Sequence, residues 1–380
     1  MRILIASGVP RQSEAGAAAV ALNHALELAR KGHAVDCWFL DDVLAKPARP
    51  KRFEALIFAL ALAKRIARGR TKYDVVNLHA PSGCAYGIFR WARRGRGLPP
   101  YVFTMQGSEE WYAKIMREEH EKGRAWNFGW KNRFWHWLYH QKMYDFSIRT
   151  AGFGAIANSD ACRGAEAKFK MPPGRLWFVP NGTEEQFFIR REYSQRASVR
   201  LLFVGTWLDR KGVYYLVDAF QILTKKRPGL TLTVAGCLIP EANVLEYFPH
   251  EVRHLIHVIP FIKRGGMPNL YAEHDIFVFP SLIEGMPLAL LEAMATGMPI
   301  VTTNSPGMAD VVQNGQNGLL VPTADAMQLA EAVSRFCDSV ELRRELGTAA
   351  QRTARRYTWE SVTKQLGDVL RLAVNPEPAQ

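Results

Sequence analysis

Short apolar runs alternate with segments of helical period along the whole chain. Residues 2–7 centre on the apolar run Ile3–Ala6 and predict a strand, followed by a loop to about Gly16. Ala18, Val20, Ala21, Ala25 and Leu28 then recur at helical spacing. That helix ends in a basic turn and Gly32, a stop signal. The pattern predicts further strands at 33–39, 73–79, 101–104, 154–158 and 175–179. After a polar stretch it repeats. Strands are predicted at 199–204, 230–235, 275–279 and 299–302, and helices at 212–226, 287–296, 324–337 and 340–356. Strands alternating with helices imply βαβ units and parallel sheets.

A chain of 380 residues is too long for one ordinary core. Pro180-Asn181-Gly182 and the polar residues after it mark a boundary. The expectation is an α/β chain of two doubly wound, Rossmann-like domains, 1–185 and 190–356, with a ligand cleft between them.

Composition narrows the partners. The formal net charge is +13. Residues 1–190 hold 30 Lys and Arg against 17 Asp and Glu, and residues 191–380 hold 19 of each. Residues 46–96 alone carry 13 basic side chains against Glu54 and Asp74. Such a field attracts nucleic acid, anionic lipid or a phosphorylated acceptor. Nucleic acid is disfavoured, because no helix-turn-helix, zinc or RNA-binding sheet signature accompanies the charge. Five scattered cysteines form no C-x-x-C pair, which fits a reducing cytoplasm. No run approaches the ~20 apolar residues of a spanning helix, and the N-terminus reads as a strand rather than a signal peptide.

Two clusters carry candidate chemistry. In the first, the strand ending at Val204 runs into Gly205-Thr206, and Arg210-Lys211-Gly212 precedes a helix. Glycine admits close approach of a ligand, and two cations beside a helix N-terminus suit a diphosphate. An ordinary strand-to-helix loop with solvated charges is the alternative. In the second, a buried strand ends at Pro280, and Glu284-Gly285-Met286-Pro287 leads into a helix through Leu288 and Glu292. If the chain were helical from 284 to 292, its eight steps would put the carboxylates roughly 12 Å apart along the axis. That exceeds the ~5–5.5 Å of a retaining hydrolase pair. Two separate grips on one elongated ligand fit better. The alternative makes Glu284 a helix cap and Glu292 a solvated residue.

Pro280-Ser281-x-x-Glu284-Gly285-x-Pro287 with Glu292 resembles the E-x7-E signature of the retaining family-4 glycosyltransferases, which have the GT-B fold. Gly205 to Lys211-Gly212, Val179-Pro180-Asn181-Gly182 and Asn314-Gly315-x-x-Gly318-Leu319-Leu320-Val321-Pro322 stand in the family's order. The resemblance covers nearly the whole chain and is strongest from Asn181 to Pro322.

It implies that Glu284 meets donor sugar hydroxyls. The amides around Gly285, Met286, Pro287 and Leu288 would face phosphates and sugar, Glu292 would bind ribose, and Lys211 would pair with the diphosphate. The family usually has arginine after Gly205. Thr206 stands there instead, and Arg210 would supply the charge. It further implies an N-terminal acceptor domain with a C-terminal helix, about 357–375, packed back on it. On the acceptor side the candidates are Gly16, of an Ala15-Gly16 pair where the family often has two glycines, and His79 at a strand end. Gln106 is the third, where many members carry histidine. His79 also has a purely structural reading.

The implied reaction is retaining sugar transfer from a UDP- or GDP-linked donor to a glycan or lipid-linked hydroxyl, as in envelope polysaccharide or lipopolysaccharide synthesis. No Asp-x-Asp motif is present, so no metal or other cofactor is called for. Nucleotide-sugar epimerases and glycogen-type synthases or phosphorylases share the architecture and remain rivals.

Residues 51–70 and 126–146 mix basic residues with apolar and aromatic ones. They suggest an anionic membrane surface met by the N-terminal domain, hence a cytoplasmic protein peripheral to the inner face of the membrane. Packing of the same Phe, Leu and Trp as domain core is the alternative.

Overall fold

The structure, a computed structural model, describes residues 1–11, 16–44, 53–69, 72–125, 130–194 and 198–375. Ala15, Lys51, Arg52, Arg70, Trp126 and Phe128, invoked above, lie outside the described residues. The chain forms two compact units, Met1–Lys114 with Trp126–Gly182 and Trp359–Gln380, and Ile115–Ala125 with Thr183–Thr358.

The first unit holds a six-stranded parallel sheet. Its strands are β1 (Arg2–Ala6), β2 (Ala34–Trp38), β3 (Val75–His79), β4 (Tyr101–Met105), β5 (Phe153–Ile156) and β6 (Leu176–Phe178). Their order is β2-β1-β3-β4-β5-β6. Helices cover both faces, which is why β3 and β4 are buried at every position and are apolar except at Asn77, His79 and Thr104. On one face Ile3, Ile5, Val75 and Val102 pack with Leu28 of the Gly16–Arg30 helix and with Leu366, Val369 and Leu370 of the Trp359–Val374 helix. On the other, Leu4, Val76 and Phe103 pack with Phe58, Leu62 and Ile66 of the Glu54–Arg68 helix and Ile148 of the Lys142–Thr150 helix.

The second unit repeats the plan. Its strands are β7 (Arg200–Val204), β8 (Thr231–Ala235), β9 (Ile256–Ile259), β10 (Ile276–Phe279), β11 (Ile300–Thr303) and β12 (Leu319–Val321). Their order is β12-β11-β10-β7-β8-β9, again all parallel. The winding reverses between β7 and β10, and the carboxyl ends of those two strands form the crevice where such sheets bind ligands.

Two features differ from the sequence expectation. Strands β9 and β12 were not predicted, being four and three residues long with partly exposed side chains. Residues 115–125 group with the second unit, although their position fell inside the expected N-terminal domain. Polar contacts explain it: Tyr215 Oη donates to the buried Glu119 carboxylate (2.9 Å) and Arg124 pairs with Asp218 (3.2 Å). The chain also leaves the first unit after Gly182, and it rejoins it at Trp359.

Candidate functional site

The two loops at the reversal of the second sheet are locked together by backbone. Gly212 has φ +70°, and a Cβ there would lie 2.0 Å from the carbonyl oxygen of Pro280. Only glycine allows both the left-handed conformation and that approach. Leu282 N donates to Arg210 O at 2.8 Å, tying the loop after β7 to the loop after β10. A third loop, after β11, supports the second from outside. Thr303 Oγ1 donates to Ser281 O (2.6 Å) and Ser305 Oγ to Leu282 O (2.8 Å). Gly307 sits so close that a Cβ would meet Gly285 O at 2.0 Å.

This frame brings Gly205, Arg210, Lys211 and Glu284 together. Glu284 Oε1 accepts from Lys211 Nζ at 2.7 Å and Arg210 Nη1 at 2.9 Å. The Lys211 ammonium also lies over the Phe279 ring, 4.8 Å from its centre. A Cβ at Gly205 would stand 3.8 Å from Lys211 Nζ, so a bare backbone borders the cation. Burial pushes the Glu284 carboxyl up, but Lys211 and Arg210 outweigh it and hold the group below the ordinary range. Burial lowers Lys211, and neighbouring Arg210 adds to that, against the opposing pull of Glu284. Thr206 makes no hydrogen bond to the cluster among the described residues.

The helix expected at 287–296 is Leu288–Ala295, with Pro287 before it, and no side chain caps its N-terminus. Met286 and Pro287 are buried, and Leu288 opens the helix. Glu284 therefore precedes the helix by four residues and is not its cap. The 12 Å separation assumed an unbroken helix and does not hold, because 284–287 is loop.

Glu292 is not solvated either. It is buried and bonded to Arg264 Nη1 (2.5 Å) and to Tyr271 Oη, which donates at 2.9 Å. Arg264 in turn meets Glu184 (2.9 Å) and covers the Phe187 ring. Burial raises the Glu292 carboxyl despite Arg264 and Tyr271. The two glutamates thus organise separate polar clusters. Arg264, Tyr271, Glu184, Ser305 and Gly307 escaped the sequence reading. Only Arg264 carried a signal, a basic pair before Gly265-Gly266 in the loop after β9.

The acceptor-side candidates all lie in the first unit. Gly16 opens the Gly16–Arg30 helix at φ +62° with open space around it. His79 ends β3 and is buried, which lowers its pKa to about 4. Gln106 follows β4, and its Oε1 accepts from Asn181 Nδ2 at 2.8 Å. The same unit has a cavity of about 520 Å³ among its helices, lined by Glu109, Glu110, Trp111, Tyr144, Asp145 and Lys168. Sequence reading gave no sign of it.

Comparison with known proteins places the whole arrangement. Residues 15–187 match the model of Glycosyltransferase Family 4, and residues 185–353 match that of Glycosyl transferases group 1. The chain belongs to the family-4 glycosyltransferases. Its two six-stranded parallel sheets are the pair of Rossmann-like domains of the GT-B fold.

Among solved structures, WaaG, a glycosyltransferase involved in lipopolysaccharide biosynthesis, superimposes with TM-score 0.71 at 17% identity. The match covers 97% of this chain and 99% of that one. Anabaena Alr3699/HepE in complex with UDP-glucose gives 0.69 at 17%, over 98% and 99%. The capsular polysaccharide biosynthesis glycosyltransferase CapM of Staphylococcus aureus is 28% identical over 166 residues, 43% of each chain. The chain spans about half the length of the curated relatives it matches.

Proposed function

We propose that this glycosyltransferase moves a sugar, with retention, from a nucleoside-diphosphate donor to a hydroxyl of an envelope glycan or lipid-linked acceptor. The observation that carries the reading is the Arg210–Lys211–Glu284 cluster at the carboxyl ends of β7 and β10. Two cations on one buried carboxylate oxygen form a site where an arriving diphosphate competes for the cations. Glu284 is then released to accept hydrogen bonds from sugar hydroxyls. Gly205 and the amides from Gly285 to Leu288 present backbone to the phosphates, and Glu292 accepts from ribose hydroxyls in exchange for Arg264. UDP-glucose in HepE and the envelope roles in the names of WaaG and CapM support this choice of donor and acceptor.

In the proposed step the bond from the anomeric carbon to the diphosphate oxygen breaks, and its electron pair leaves with the diphosphate. Arg210, Lys211 and the helix-terminal amides stabilise that developing charge. The acceptor oxygen bonds to the same face, and its proton passes to the departing phosphate. No protein nucleophile and no metal take part. A thermal-shift screen against UDP, GDP, ADP and their sugars tests the donor, and stabilisation by none of them sinks the reading. Turnover that survives EDTA checks metal independence. Nucleoside diphosphate released only when acceptor is present separates transfer from epimerisation.

The acceptor reading extends to the cytoplasmic face of an anionic membrane. Among the described residues no helix is long and apolar enough to cross a bilayer. Yet the Glu54–Arg68, Cys84–Ala92 and Lys142–Thr150 helices pack side by side and leave Ile57, Leu60, Ile88, Trp91 and Phe146 exposed, Trp91 at 75%. The same helices and the turn after Cys84–Ala92 carry Lys64, Arg68, Arg93, Arg94, Arg96 and Arg149. Exposed apolar side chains on cation-rich elements suit an anionic interface and disfavour a second copy of the same elements, whose charges would repel. The wild type floats with phosphatidylglycerol vesicles in a salt-sensitive way on this reading, and Ile88→Ser/Trp91→Ser loses most of that binding. Equal flotation of both proteins counts against it.

A further inference from the structure

One face of the first sheet carries polar side chains where apolar ones would ordinarily pack. Asn77 Nδ2 donates to Thr104 Oγ1 at 2.8 Å, linking β3 to β4. Toward the carboxyl ends of the same strands stand His79, in register with Thr104, and Gln106, two residues beyond. On the helix packed against this face, His24 Nδ1 bonds Thr363 Oγ1 at 2.8 Å. Native structures leave few buried polar atoms without a partner. Here two side-chain nitrogens, His79 Nε2 and Gln106 Nε2, are buried with no hydrogen-bond partner among the described residues. Both stand at the carboxyl edge of adjacent strands, where a doubly wound sheet receives its ligand.

The orientation of the Gln106 amide is set by one bond. Its Oε1 accepts from Asn181 Nδ2, so its Nε2, the donor end, is turned away from Asn181. Asn181 is itself immobilised. It is 2% exposed, and its neighbour Gly182 lies so close to Trp359 that a Cβ would meet the Trp359 backbone nitrogen at 2.7 Å. The start of the C-terminal helix therefore fixes the loop that fixes the glutamine.

We infer that Asn181 is a positioning residue: it holds the Gln106 amide so that Nε2–H donates to the acceptor hydroxyl, beside His79. The inference rests on the transferase reading above. A glutamine in place of the family's histidine does not titrate, so the donor is available at every pH at which the chain is folded. It needs an external constraint to present nitrogen rather than oxygen, and Asn181 supplies it.

The test uses the purified full chain with UDP-glucose, GDP-mannose and ADP-glucose, water being the attacking hydroxyl. On whichever donor the wild type hydrolyses fastest, Asn181→Ala lowers kcat by roughly tenfold or more. Calorimetry shows the donor Kd unchanged. The double variant Asn181→Ala/Gln106→Ala is no slower than Gln106→Ala alone, because both act through one amide. Asn181→Asp guards against misfolding. It keeps the shape, but its carboxylate only accepts, so it turns the amide round and matches the alanine variant. Gln106→His restores a donor and adds a pH-dependent limb near pH 6.5. Independent, multiplying effects of the two alanines, a weakened donor Kd, or unaltered kcat in Asn181→Asp overturns the inference. Absence of turnover by the wild type on all three donors overturns instead the transferase reading on which it rests.

Discussion

Glu284 neutralises two cations, and that sets what its substitutions should do. Removing the carboxylate leaves Lys211 buried beside Arg210, and stranding a buried charge costs about 3–5 kcal/mol. Glu284→Ala should therefore nearly abolish turnover and also lower the melting temperature. Glu284→Gln keeps an oxygen for Lys211 and should lose turnover by ~100-fold with a smaller loss of stability. Wild-type turnover in Glu284→Ala removes the assignment.

The buried histidines predict a pH effect. Burial brings His24 down to about 3 and His79 down to about 4 in the folded chain. Unfolded imidazoles protonate below about 6.5. Between those limits the unfolded state binds more protons, so stability falls as pH falls. Linkage gives about 2 kcal/mol per histidine lost between pH 6.5 and 5. Chemical denaturation at the two pH values should show it, and His79→Gln should remove part of the slope. The depressed Glu284 carboxyl acts at lower pH. Its contribution is present above the unfolded carboxylate range near 4.5 and is lost as acid titrates the folded group.

At the scale of elements, the proposed donor site depends on loops whose backbones touch. Gly307 combines φ +88° with a Cβ position 2.0 Å from Gly285 O. Gly307→Ala should displace the 282–285 loop and weaken nucleotide binding at least tenfold while leaving the β strands intact. Calorimetric titration with UDP measures it, and unchanged affinity would show that the loop tolerates the shift. Gly205 and Gly212 stood out in the sequence because they flank a basic pair between a strand and a helix. Gly307 did not, since a glycine after Ser305-Pro306 reads as an ordinary turn. The strands were legible because parallel strands covered on both faces are mostly apolar runs. Strands β9 and β12 lacked that burial and that length.

Across the whole molecule, the Trp359–Val374 helix belongs to the first unit. Its Leu366, Val369 and Leu370 are buried against Ile3, Ile5 and Val102. Each such side chain contributes about 1.5–3 kcal/mol when fully buried. A chain ending before Trp359 should lose the cooperative melting of the first unit, while the 183–358 unit still binds nucleotide. Limited proteolysis with UDP present distinguishes the two.

Patterning and motif spacing determined a great deal by themselves. The period of apolar positions marked most strands and helices, because burial on two faces or one stripe writes directly into the order of residues. The spacing of Gly205, Lys211, Glu284 and Glu292 marked the candidate site, because tight turns and ligand grips demand particular residue types at particular places. Only the tertiary structure decided who partners whom. That Arg210 and Lys211 share one oxygen of Glu284, that Glu292 is held by Arg264 and Tyr271, and that Asn181 bonds Gln106 all depend on residues 21 to 75 positions apart meeting in space. Side-chain hydrogen bonds act over about 3 Å and carry no record of sequence distance.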